Sequence, residues 1–245
     1  MRWSFFLAAF GFSAFSACAA EVTAFSSVQG SQPPKPWAVA GLPDRYKVPI
    51  TQFDLSGLDG ANVLRIKAEK SWGSLVHSLN EAVKPNTVIR WRWRLDQPLP
   101  KADIRVKESE DSPLKVCLSF DMPTDNIPSS ERALFKLAQF FTREKIPTAT
   151  LCYTWGNKEA VGYEQASLFT NRVRFVVVVV NDAGPLKTWV SNERNVHADF
   201  LAAFGEETQT VPPLSAILVG ADSDTTQGQG LGYVGDVQLG NASAR

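Results

Sequence analysis

The chain has 245 residues, and its 25 Lys and Arg are balanced by 25 Asp and Glu, so the formal net charge is zero. That balance gives no global basic excess with which to hold DNA, RNA or an anionic membrane, and any electrostatic recognition has to be local. The length suits one sandwich or barrel domain, and beyond residue 20 no stretch offers the roughly 18 apolar residues that a membrane-spanning helix needs.

Residues 1–20 carry Arg2, the apolar run Phe5-Phe6-Leu7-Ala8-Ala9-Phe10 continued by Phe12 and Phe15, and then Ala17-Cys18-Ala19-Ala20. This is the pattern of a secretory signal peptide cut before Glu21. Phe15-Ser16-Ala17-Cys18 is also a loose relative of a lipoprotein processing box, with Phe15 where leucine is usual, so lipidation of Cys18 is the alternative. Either route predicts an exported protein, periplasmic or extracellular. In such a compartment Cys117 and Cys152 are either bridged across neighbouring strands or remain two reduced core thiols.

Residues 21–61 read as an extended arm with a lead-in strand, because Pro33, Pro34 and Pro36 precede Trp37. The sandwich domain is expected over 62–240. Strands are predicted over 63–66, 75–79, 87–95 and 114–120, with Pro98, Pro100, Pro113 and Pro123 confined to connections. Ser129-Ser130-Glu131 opens a helix whose Leu134, Leu137, Ala138 and Phe141 form one apolar stripe until Pro147 stops it. Strands follow over 149–155 and 173–180. The five valines of 176–180 are apolar on both faces, which predicts the centre of a covered sheet. A second helix over 196–204 puts Val196, Phe200 and Phe204 on one side and ends at Gly205 as a C′ glycine. Strands over 216–219 and 232–239 close the chain around the polar loop 222–230. The expected fold is all-β, an antiparallel jelly-roll-like β-sandwich with two short helical insertions.

The most informative segment is Arg90-Trp91-Arg92-Trp93-Arg94. In an extended strand its indoles fall on one side and its guanidiniums on the other. Three adjacent guanidiniums cannot lie bare in a dry interior, so they face either a ligand or a set of carboxylates. As ligand groups, Arg90, Arg92 and Arg94 offer forked donors to carboxylates or sulfates of an anionic sugar. As an internal network, they would be neutralised by Asp111, Glu193, Asp222, Asp224 and Asp236. Trp155, Trp189, Tyr153 and Tyr233 are candidate stacking platforms, although large aromatics usually fill cores, and Trp91 and Trp93 are assigned to the core.

Asp222-Ser223-Asp224-Thr225 alternates carboxylates in an oxygen-rich turn, and with Asp236 or Glu193 it is a candidate calcium site. It lacks the downstream glutamate of an EF-hand. Catalytic patterns are thin. His77 and His197 are the only histidines and have no zinc-type partner spacing, and neither a G-x-S-x-G elbow nor a phosphate-cradling glycine loop is present.

Arg90-Trp91-Arg92-Trp93, Leu151-Cys152-Tyr153-Thr154-Trp155, Trp189 with Glu193-Arg194-Asn195-Val196, Asp199-Phe200, Phe204-Gly205, Asp222-Ser223-Asp224-Thr225 and Tyr233-Val234-Gly235-Asp236 occur in this order. The set resembles the bacterial domain of unknown function family 3047, over roughly Val63 to Leu239. The resemblance implies an exported bacterial protein with a carbohydrate-binding-like sandwich. One departure stands out: where that pattern leads us to expect an arginine after an acidic pair, this chain has Glu110-Asp111-Ser112-Pro113-Leu114-Lys115.

The functional expectation is a non-catalytic binding module for a glycan or other polar anionic ligand. Arg90, Arg92 and Arg94 would hold the ligand, with Trp155, Trp189, Glu193 and Tyr233 shaping the site. Asp222, Asp224 and Asp236 would orient the arginines or hold calcium. The alternatives are a polysaccharide lyase using Tyr233 or Tyr153 as base, a glycosidase drawing two carboxylates from Glu193, Asp222, Asp224 and Asp236, or an envelope protein-interaction domain.

Overall fold

Alternation of apolar and polar residues draws two sheets face to face. The computed structural model describes residues 21–142, 146–180 and 186–242; the expected signal peptide over 1–20, with Cys18, lies outside them. In chain order the elements are β1 (Ala38–Ala40), β2 (Gln52–Leu58), β3 (Ala61–Glu69), β4 (Trp72–Glu81), β5 (Thr87–Gln97), β6 (Ser112–Phe120), helix α1 (Ser129–Thr142) and β7 (Ala149–Gly156). They continue with β8 (Glu164–Ala166), β9 (Val173–Val180), β10 (Val190–Asn195), α2 (Val196–Phe204), β11 (Leu214–Asp222), β12 (Gln229–Val234) and β13 (Gln238–Asn241).

A seven-stranded sheet runs β1-β4-β11-β6-β7-β9-β8, and a six-stranded sheet runs β10-β5-β12-β3-β2, with β13 also on β5. The chain passes repeatedly from one sheet to the other, as a jelly-roll-like sandwich requires. Among these pairings β7 with β9 is parallel, and the others are antiparallel. No helix among the described residues is long and apolar enough to cross a membrane.

The core lies between the sheets. Ile89, Trp91, Trp93 and Leu95 of β5 point into it with Leu64 and Ile66 of β3, and they meet Val116, Leu118, Leu151, Tyr153 and Trp155 from the other sheet. Trp91 stacks on Tyr153 with ring centroids 5.2 Å apart, and Trp93 meets Trp155 at 5.7 Å. These rings tie the sheets together at the strand that carries the arginines. At one margin α2 presses Phe200 against Phe120, 4.6 Å apart, and its Asn195 cap accepts a hydrogen bond from the Ala198 N–H. Gly205 follows with ordinary right-handed backbone, so its αL freedom is not used.

A second apolar cluster of Ile104, Cys117, Cys152, Phe175 and Val177 covers the opposite face of the seven-stranded sheet. Cys117 and Cys152 face each other across β6 and β7 and form a disulfide. This cluster also explains the valine run, since Val176 and Val179 enter the main core while Val177 enters the second. The run is covered on both faces, but β9 lies one strand from the sheet edge and not at its centre, because the short β8 pairs beyond it.

Helix α1 forms where the capping pattern places it, but Leu134 and Leu137 of its expected stripe do not turn inward. Among its described side chains Phe135 is buried, whereas Leu134 is 70% exposed and Leu137 51%. The side chains of Ala138 and Phe141 lie outside the described set.

Candidate functional site

β5 supplies the floor of the site. On one side it pairs with β10 from Val88 to Trp93; on the other it pairs with β12 from Trp93 to Gln97 and with β13 from Thr87 to Arg90. Between β12 and β13 the ladder is broken by Gly235-Asp236-Val237, which bulges beside Arg92, and the Gly235 N–H donates to the Arg92 carbonyl at 2.9 Å. A β-carbon at Gly235 would stand 2.8 Å from Arg92 Cγ, so glycine there lets the arginine side chain lie across the bulge. The interruption leaves a cleft of about 570 Å³, lined by Arg90, Arg92, Ser191, Glu193, Asp236 and Gln238 among others. Its volume falls within the roughly 300–1,000 Å³ of ordinary ligand pockets.

The three guanidiniums have different surroundings. Arg90 Nε lies 2.6 Å from Glu193 Oε2. Arg94 is held by Asp96 at 2.6 Å and approaches Asp59 at 3.5 Å. Arg92 has no carboxylate within ion-pairing distance among the described residues, and its Cζ stands 4.7 Å from the centre of the Trp189 ring. Trp189 is in turn steadied by Asp59, whose Oδ2 accepts from the indole Nε1 at 2.8 Å. Asp236 is fixed from the amino-terminal segment, accepting from the Ser26 N–H at 3.0 Å and the Ser26 hydroxyl at 2.5 Å. Beneath this face Trp91 and Asn192 are cross-strand partners, and each keeps a buried N–H with no acceptor among the described residues.

Arg90, Arg92, Arg94, Trp189, Glu193 and Asp236 are therefore on one face, and Tyr233 joins them between Arg94 and Arg65 on neighbouring strands. Trp155 does not belong there. It is 1% exposed and fills the core, because its strand presents it to the opposite sheet. Tyr153 is also buried; its hydroxyl donates to Asp199 at 2.9 Å, and burial, followed by the Asp199 charge, raises the phenol well above its usual 10. Asp59, Asp96 and Ser26 were not singled out in the sequence. Asp59-Gly60 carried a signal, a two-residue hairpin turn with both φ positive at 51° and 81°. Asp96 stands two residues beyond Arg94 on the same strand face and was legible by the same alternation. Ser26 lies 210 residues from Asp236 and carried none.

Asp222 and Asp224 belong to a different place, the end of β11. They meet Asp111 and not Asp236, with one carboxylate oxygen of each within 4.8 Å of the others. Asp236 is kept away because it follows β12 into the other sheet. If a cation were held, Asp111, Asp222 and Asp224 would be the residues to hold it, but their oxygens already have work. Asp222 accepts from the Ser112 N–H at 2.9 Å and meets Lys115 Nζ at 2.9 Å, and Asp111 accepts from Thr225, Thr226 and the Thr226 hydroxyl. Burial, then the Asp222 and Asp111 charges, push Asp224 up to about 6. Lys115, the departure noted in the family pattern, is thus the internal counter-ion of this cluster.

With the two-sheet fold and its arginine-lined cleft in place, the comparisons with known proteins fall as follows. The family model described as protein of unknown function (DUF3047) matches residues 35–238, and the chain belongs to that family. Among curated proteins none matches. The glycoside hydrolase domain of Endo-D from Streptococcus pneumoniae R6 is similar at TM-score 0.36 and 10% identity over 85% of this chain, which spans 22% of that one. Endoglucanase 3 of family GH12 from Trichoderma harzianum gives TM-score 0.43 and 10% identity, covering 85% of this chain and 96% of that one. TmCBM61, solved with β-1,4-galactotriose, gives 0.34 and 10%, covering 85% and 90%. TM-scores this low leave the reading of the site to its own geometry.

Proposed function

We propose that the protein is an exported, non-catalytic binding module that takes a polar anionic ligand, a glycan in the first place, into the cleft beside Arg92. The observation that carries the reading is Arg92 itself, an exposed residue with no carboxylate partner among the described residues, which lines a ligand-sized cleft and rests its guanidinium on the Trp189 ring at the cleft's side. An unpaired guanidinium presents forked donors suited to carboxylate or sulfate oxygens, and an indole beside it suits the apolar face of a sugar ring. Arg90 and Arg94 are occupied by their own carboxylates, and of the two Arg90 lines the cleft. The binding reading is favoured over hydrolysis or elimination because Asp236 is engaged through both oxygens by Ser26 and Glu193 is ion-paired through Oε2 with Arg90, while Tyr153 is buried away from the cleft. Export by the segment 1–20, or anchoring through Cys18, is part of the same proposal.

The test is isothermal titration of the purified mature protein with a panel of acidic polysaccharides. Arg92→Ala should lower affinity about 10- to 100-fold, the worth of a hydrogen bond to a charged group, and leave the melting temperature nearly unchanged. Release of reducing or unsaturated ends from any polysaccharide of the panel would reject the non-catalytic reading. Binding that ignores the substitution would reject the site.

A further inference from the structure

The charge arrangement around Arg92 narrows the ligand further, an inference that rests on the binding reading just given. We infer that the cleft selects a glycan with one carboxylate per sugar ring flanked by free hydroxyls, a uronate-type chain, and rejects densely sulfated or phosphorylated sugars.

Among the described residues the cleft offers a single uncommitted cation, Arg92. Arg90 is neutralised by Glu193 at 2.6 Å, and Glu193 is itself 55% exposed on its side chain, so it faces whatever enters. Asp236 adds a second carboxylate to the same lining. One anionic group can sit on Arg92; a second on the same or the next ring meets Glu193 or Asp236, and like charges brought together disfavour the wrong partner strongly. The rest of the lining favours hydroxyls. Ser191 and Gln238 are neutral and polar, and Glu193 Oε1 is left to accept while Oε2 engages Arg90. A carboxylate on Arg92 and hydroxyls toward Glu193, Ser191 and Gln238 satisfy this lining with one residue of a polyuronate. Specificity on this account lies in the acidic lining as much as in the arginine: Glu193 switches Arg90 off and so sets the number of charges that the cleft accepts.

The experiment titrates the wild-type protein with trimers of galacturonate and of mannuronate and with a heparin-derived tetrasaccharide, at one ionic strength. At least one uronate trimer should bind about tenfold or more tighter than the heparin fragment. Glu193→Gln, folded by its melting temperature and far-UV spectrum, should free Arg90 and raise affinity for the heparin fragment about tenfold, with a smaller change for the uronate. Heparin-fragment binding that is lost in Arg92→Ala but equals or exceeds uronate binding in wild type would overturn this inference and leave the binding reading intact. A Glu193→Gln variant with unchanged selectivity would likewise overturn it. Absence of binding by all three probes, or binding unaffected by Arg92→Ala, would overturn both.

Discussion

Lys115 shows how one side chain decides the character of a site. It is 6% exposed, its Nζ lies 2.9 Å from Asp222 and 5.5 Å from the centre of the Trp72 ring, and it stands against three clustered carboxylates. A buried charge is tolerable only while its partner remains, so removing the ammonium leaves Asp222 uncompensated. Lys115→Met should lower the unfolding free energy by about 3–5 kcal/mol in urea titrations, and Lys115→Met with Asp222→Asn should recover most of the loss, since the asparagine carbonyl still accepts from Ser112. A single-variant loss below about 1 kcal/mol, the range of exposed pairs, would show that the lysine is solvated and not the internal counter-ion. The exposed Arg92 is the opposite case. Its removal orphans no buried group, which is why binding and not stability should respond.

Pairing of elements decides where the strength lies. β6 and β7 are joined by seven-stranded-sheet hydrogen bonds and by the Cys117–Cys152 disulfide, which closes a separation of 35 residues that includes α1. Constraining a loop of that length in the unfolded chain contributes about 4 kcal/mol in the chain-entropy model. Cys117→Ser with Cys152→Ser should therefore lower the unfolding free energy by that order, read as a lower denaturation midpoint, a loss to which two hydroxyls placed among Ile104, Phe175 and Val177 add. Equal midpoints with and without the bridge would remove it from the account of stability. The broken pairing of β12 and β13 against β5 has the other consequence: where the ladder opens at Gly235, the backbone yields room that an unbroken strand would fill.

At the scale of the whole molecule, the two outer faces carry different electrostatics. The six-stranded face presents arginines, mostly paired, and the end of the seven-stranded sheet gathers Asp111, Asp222 and Asp224 around Lys115. Asp224 has its folded pKa raised from the usual 3.8 to about 6 by burial and its acidic neighbours, so the folded state holds this proton more tightly than the unfolded chain does. Stability contributed by the protonated form is then present below about 4 and lost as pH rises through about 6. Asp224→Asn should gain stability relative to wild type progressively across that window and keep the gain at pH 7, read as the difference between the two melting-temperature profiles. A difference that is flat between pH 4 and 7 would contradict the placement of this carboxylate.

The alternation in 87–95 determined by itself that Trp91 and Trp93 lie inside and Arg90, Arg92 and Arg94 outside, because side-chain direction in a strand follows from period two alone. Turn residues, capping and hydrophobic spacing likewise settled the sandwich class and both helices. What only the tertiary structure decided is which distant residues meet. Trp155 reads like Trp189 in sequence, yet one is core and the other backs Arg92, since the difference is which sheet face covers each. Asp236 follows Asp222 by 14 residues yet lies on the other sheet, since β12 carries it there. Leu134 and Leu137 repeat at helical spacing yet face outward, because periodicity gives a stripe but not the neighbour that would cover it. Partner choice depends on contacts between residues far apart in the chain, and no local pattern encodes them.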